Sequence, residues 1–178
     1  MSRVKTLNQL IENYTDINRH YHNLTHIHSM LRHKDKLTPN QIIAVWWHDV
    51  IYVPGAKDNE ERSAEDAAEY CKSMLDMRDD DIQAIKQMIL DTKTHIPTIP
   101  DSELIIDFDL EILASNPDNY QEYTEQIRKE YSFVPDDLWK KGRGDFLTTF
   151  LKRDKIYYKT TWLEERARAN LANELSRL

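Results

Sequence analysis

Five of the seven histidines in this chain, His20, His22, His26, His28 and His33, fall between positions 20 and 33. Imidazole titrates near neutral pH and is the commonest metal ligand, so the cluster asks for a chemical account. His22 and His26 stand four apart at a helix start and can point the same way. Many inert pairs share that spacing. More telling is His48-Asp49, at the C-terminal end of an apolar helix in IIAVWWHDVIY. A carboxylate enclosed by such groups is costly unless it is paired or bound to a cation. A second acidic pair, Asp107 and Asp109, lies in the equally apolar LIIDFDLEIL. Two positions apart on a helix, these carboxylates cannot share a face: one points inward and the other toward a cap or solvent.

One imidazole from the cluster, His48, Asp49 and one inward carboxylate would make a site of two histidines and two carboxylates. Such a set suits Mn²⁺, Fe²⁺, Co²⁺ or Zn²⁺, with positions left for water and substrate. It is too soft for a dedicated Ca²⁺ site and too rich in carboxylate for a structural zinc. The competing reading is a satisfied core network, with Asp49 bonded to His48 or another histidine and no ion.

The elements that must position these residues read as helices. Val4, Leu7, Leu10, Ile11 and Tyr14 recur at helical spacing, and Asn23 can cap a second helix with Leu24, Ile27 and Leu31 on its stripe. Thr38-Pro39-Asn40-Gln41 combines a capping-box Thr, Pro at the first helical position and Gln at the third. The helix that it opens carries His48-Asp49 and is expected to stop near Tyr52, before a turn at Val53-Pro54-Gly55. Ala64, Ala67, Ala68, Cys71 and Leu75 mark the inner face of a fourth helix, and Asp79, Asp80 and Asp81 suit the positive end of a fifth. IPTIP at 96–100 is an extended connector, and LIIDFDLEIL is read as a buried helix. Asn116-Pro117 opens a helix bearing Tyr120, Tyr123, Ile127 and Tyr131. Gly142 and Gly144 are expected to interrupt a segment that resumes at FLTTFL, and Thr161-x-x-Glu164 to box the start of the last helix. The four tryptophans are expected in the core.

Composition agrees. The 178 residues include only 3 glycines, too few for a glycine-rich phosphate loop or a turn-rich β fold. With no repeat and no linker, residues 1–178 are expected to form one all-α domain of about eight or nine helices. The balance of 24 basic and 31 acidic residues gives a net charge of −7, which argues against duplex nucleic acid as a partner. The single cysteine, the lack of an apolar leader and the lack of a long apolar run point to the cytoplasm and away from a membrane. No heptad run demands a particular assembly, so a monomer or a small homo-oligomer is expected.

Taken in order, H…HD…D, these residues make the chain resemble the HD-domain superfamily of metal-dependent phosphohydrolases. The nearest likeness is to the family labelled predicted metal-dependent HD phosphohydrolase. RHYHNLTHI, WWHDVIY, DNEERSAEDA, TKTH and DFDLEILA carry the resemblance, and EYTEQIRKEY, GRGDFLTTFLKRDKIYYKT and EERARANLANEL extend it over nearly the whole chain. It implies a single HD-type helical bundle and a divalent metal held by His26, His48, Asp49 and, by the D-x-D pattern of related sequences, Asp109 in place of Asp107. Mg²⁺ joins the candidate ions. YHNLTH is also similar to the Tyr-His-Asn-x-x-His segment of cyclic-nucleotide phosphodiesterases, which implies His22 as general acid.

The chain departs from some relatives in following His48-Asp49 with Val-Ile-Tyr, where they carry a further His or Glu. His95 then stands as a residue supporting the ligands, as a ligand of a second metal, or as a cap at its helix end. Asp58 or Glu61 would orient the attacking water, with helix capping as the other role for Asp58. Arg19, Lys57 and Arg143 are the candidates to hold phosphate. The implied reaction is hydrolysis of a phosphoester or phosphoanhydride, probed first among small nucleotides. The alternatives are a catalytically weak sensor module that binds nucleotide or metal, and a purely structural helical protein.

Overall fold

The computed structural model describes residues 7–178, and every regular element among them is helical: nine α-helices, three short 3₁₀ segments and no strand. The all-α expectation holds. The chain divides into two compact units, the first ending at Asp109 and the second spanning Leu110–Leu178, where one domain was expected.

In the first unit, α1 (Leu7–Tyr14) carries the expected stripe through Leu10 and Tyr14, both buried, while Val4 lies outside the described residues. α2 (Leu24–Leu31) starts at Asn23, whose side chain accepts from the Thr25 N–H at 2.8 Å. α3 (Pro39–Trp47) has the full capping box, Thr38 and Gln41 each satisfying the other's backbone N–H. α4 (Asn59–Met74) packs on α5 (Asp79–Thr92) through Ala64, Ala67 and the free thiol of Cys71, all buried. Leu75, placed on that face by its spacing, is exposed beyond the helix end. α6 (Ser102–Asp109) closes the unit, its start held by Asp91, which accepts from the Thr98 N–H at 2.7 Å and the Ser102 hydroxyl at 2.6 Å. Ile27, Met30, Val45, Ile85, Met88, Ile89 and Ile105 fill the core. Trp47 is buried against Tyr70, and its indole N–H finds no hydrogen-bond acceptor among the described residues.

α3 ends five residues before Tyr52, at Trp47, with His48 as its C-cap. The carbonyls that would continue the helix ladder are taken by side chains. The Tyr14 hydroxyl donates to Trp46 O at 2.9 Å, Arg19 donates to Asp49 O at 2.7 Å, and Arg19 and Asn13 donate to Val50 O at 2.9 and 3.1 Å. From there α4 stitches the chain down. The Ser63 hydroxyl bridges both backbone groups of Ile51, and the Asn59 amide bridges those of Val53. Gly55, at φ 84°, makes the turn between them, in the left-handed region that a side chain disfavours.

The second unit begins with a 3₁₀ turn (Leu110–Ala114), followed by α7 (Pro117–Glu130), α8 (Asp136–Leu151) and α9 (Glu164–Leu175). Asn116 caps α7, as its position before Pro117 suggests. Two expectations are corrected here. α8 runs unbroken through Gly142 and Gly144, because burial of Arg143, Leu147 and Phe150 on one helical face outweighs two weak helix formers. Thr161 does not box α9. It opens a separate 3₁₀ turn, and the Glu164 carboxylate instead accepts from the backbone N–H groups of Ile156 and Tyr157. Trp162, expected in the core, is 71% exposed. Among the described residues, no helix is long and apolar enough to cross a membrane.

Candidate metal centre

Four side chains from three stretches of the first unit converge. α2 supplies His26, the end of α3 supplies His48 and Asp49, and the last residue of α6 supplies Asp109. Both histidines are buried, and each carboxylate side chain is nearly so. The Nε2 atoms of His26 and His48 lie 3.2 Å apart. Asp49 Oδ2 is 3.1 Å from His48 Nε2, and Asp109 Oδ1 is 3.0 Å from His26 Nε2. The cross distances, His26 to Asp49 and His48 to Asp109, are 4.0 and 3.8 Å.

Outer contacts fix these groups. His48 Nδ1 is 2.8 Å from Val45 O, and a carbonyl can only accept, so Nδ1 carries the proton and Nε2 faces the cluster. His95, at φ 52°, brings Nε2 to 3.2 Å from Asp109 Oδ2, the oxygen turned away from His26. Supporting bonds of this kind orient metal ligands.

The electrostatics are those of buried imidazoles and carboxylates that answer one another. Burial would raise the Asp49 carboxyl, but His48 outweighs it by charge and hydrogen bond and holds Asp49 below the usual carboxylate range. For Asp109, burial is again overcome, by hydrogen bonds from His26 and His95, and its carboxyl lies well below the usual range. Burial disfavours a charged His48, yet Asp49 and Asp109 raise it to about 9. Two ionised carboxylates in an apolar interior are neutralised by protons on imidazole or by an ion in their place.

Donors about 2.0–2.2 Å from a shared ion stand about 3 Å from their neighbours. His26, His48 and Asp49 each offer a ligand atom within 4.8 Å of the others, so these three could hold such an ion, and their mixed nitrogen and oxygen set suits Mn²⁺, Fe²⁺, Co²⁺ or Zn²⁺. Asp109, 3.0 Å from His26 Nε2, stands outside that group of three.

The other candidates fall in different places. His22 stacks on Tyr52 with ring centroids 4.1 Å apart, and its charge helps to hold Asp49 ionised. His20 and His28 are exposed, and His33 stacks on Phe108. Asp107 is fully buried and Asp109 nearly so, where the two-residue spacing was expected to leave one of the pair facing a cap or solvent. Asp58 stands at the N-cap of α4 but makes no side-chain capping bond, and Glu61 is exposed and paired with Lys93. Lys57 is exposed, with its carbonyl accepting from Lys93. The guanidinium of Arg19 is bonded to three backbone carbonyls. Arg143 belongs to the second unit, buried and bonded to Glu174 at 2.7 and 3.0 Å, so its charge is already answered within that unit.

Glu60 was not among the sequence candidates. Half-buried in the first turn of α4, its carboxyl is pushed up by burial, and the charge of Asp49 adds to that. The signal was there: the inner stripe Ala64, Ala67, Ala68, Cys71 extended back by one turn lands on Glu60. Comparison of the chain with protein-family models, curated proteins and solved structures gave no match.

Proposed function

We propose that the protein is a metal-dependent phosphohydrolase that cleaves a phosphoester or phosphoanhydride bond, with a small nucleotide as the first substrate class to examine. The juxtaposition of His26, His48 and Asp49, with Asp109 3.0 Å from His26, in the order H…HD…D, is the observation that carries the reading. A bound divalent ion there would polarise a phosphate oxygen and acidify a water.

The chain's own residues supply the remainder. His26, His48 and Asp49 would hold the ion, with Asp109 beside His26 as the further candidate ligand and His95 bonded to Asp109. His22, beside Asp49 and backed by Tyr52, is placed to give a proton to the departing oxygen. Glu60 takes the water-orienting part for which Asp58 and Glu61 were candidates. Lys57, exposed just before α4, is the cation left to meet phosphate from the first unit's candidates.

The test is a panel of nucleoside mono-, di- and triphosphates and cyclic and linear dinucleotides. Each is incubated with Mn²⁺, Co²⁺, Mg²⁺ or Zn²⁺, and products are read by mass spectrometry. Wild type is expected to turn over at least one class, and Asp49→Ala to lose both turnover and metal uptake. Metal binding without turnover across the panel would favour the sensor module. Absence of metal uptake would leave a structural His/Asp core.

A further inference from the structure

The side chain that ties the two halves of this centre together is Arg19. One terminal nitrogen, NH1, donates both to His22 O at 3.3 Å and to Asp49 O at 2.7 Å, while NH2 donates to Val50 O at 2.9 Å. The guanidinium lies over the rings of Tyr14 and Tyr52, with its carbon 5.1 and 5.7 Å from their centroids. Tyr52 is the ring on which His22 stacks. A planar fork of five N–H donors matches several carbonyls at once, which a lysine ammonium on a flexible stem does not.

We infer that Arg19 is a positioning residue whose guanidinium sets the His22 segment against Asp49, and that it does not serve as a phosphate contact. The inference rests on the metal-centre reading above. His22 and His26 come from one stretch of chain and His48 and Asp49 from another, 26 residues later in the case of the His22–His48 pair. Asp49 follows the C-cap of α3, where carbonyls have lost their helical partners. Left to water, that stretch would be free to turn its carboxylate away. With Asp49 O and Val50 O both held by the guanidinium, the Asp49 backbone is fixed on the side away from the donors, and Oδ2 stays 3.1 Å from His48 Nε2.

The experiment is a Co²⁺ titration followed by visible absorption, on wild type, Arg19→Ala, Arg19→Lys and Asn13→Ala. Asn13 donates to Val50 O at 3.1 Å but touches neither Asp49 nor His22, so it controls for a generic loss of packing. Removing an outer support of a metal site costs about 10–100-fold in affinity. Arg19→Ala is expected to show a loss of that size, partly restored by millimolar guanidinium ion; Arg19→Lys should fall between it and wild type, and Asn13→Ala should bind as wild type. If Arg19→Ala does not fold, Arg19→Lys decides: weaker Co²⁺ binding in a folded protein supports the inference, and wild-type affinity overturns it. Unchanged Co²⁺ affinity with weakened binding of inorganic phosphate would return Arg19 to the substrate and leave the metal reading standing. Equal losses in the Arg19 and Asn13 variants would reduce Arg19 to packing and overturn the inference. If wild type takes up no Co²⁺, the metal reading itself fails and the inference with it.

Discussion

A buried arginine and a buried carboxylate can serve opposite ends, and the two units illustrate both. In the first, Asp49 and Asp109 stay ionised because imidazoles face them, a neutralisation that a divalent ion can take over. In the second, Arg143 stays charged because Glu174 grips it with two bonds, and Tyr123 and Phe146 offer ring faces at 5.3 and 4.8 Å. Breaking a buried pair by removing one partner leaves the other charge uncompensated. Arg143→Met is expected to cost about 3 kcal/mol, read by urea unfolding, and Arg143→Met with Glu174→Met to recover most of it. The four converging donors were legible in the sequence because each is polar in an apolar stretch, and burial makes such residues costly. The arginines were not. A guanidinium looks the same in sequence whether it will bind phosphate, close a buried ion pair or clamp carbonyls, and Arg143 and Arg19 do the latter two.

At the scale of elements, caps and stripes were readable where the signal is local. Asn23, the Thr38–Gln41 box and Asn116 each sit where their side chains reach the next free N–H. Ends decided by distant side chains were not. α3 stops at Trp47 where Tyr14, Arg19 and Asn13, 30 or more residues from the carbonyls that they hold, take over from the helix ladder. α8 shows the converse, a helix persisting through two glycines. A Cβ at Gly142 would meet nothing within 4 Å, and one at Gly144 would only touch Leu175 and Leu178 at 3.9 Å. Neither position needs glycine, so Gly142→Ala and Gly144→Ala should each stabilise the protein by about 0.5–1 kcal/mol in chemical denaturation.

For the molecule as a whole, the net charge of −7 gives no long-range attraction to an anion. On the proposed function, affinity for phosphate would have to come from a bound ion and nearby cations. Such an ion would also enter the stability of the fold. A ligand held only by the native state adds about 2.7 kcal/mol at a hundred times its Kd. Saturating Co²⁺ or Zn²⁺ is therefore expected to raise the melting midpoint by about 5–10 °C in calorimetry, with a chelator reversing the gain. Asp49→Ala should melt at one temperature whether or not metal is added. No linker marks the passage between the two units: α6, which ends in Asp109, runs straight into the 3₁₀ turn of the second.

Trp47 lies immediately before His48, sealed from solvent with no acceptor for its indole N–H among the described residues, whereas Trp162 of the second unit stands open to water. An excited indole relaxes according to the dipoles that surround it. Among the four tryptophans, Trp47 is therefore expected to emit to the blue, on the residue before His48, and Trp162 to the red, within reach of an aqueous quencher. With Trp46 and Trp139 replaced by phenylalanine, each of these two indoles would report on its own unit, with no label to attach.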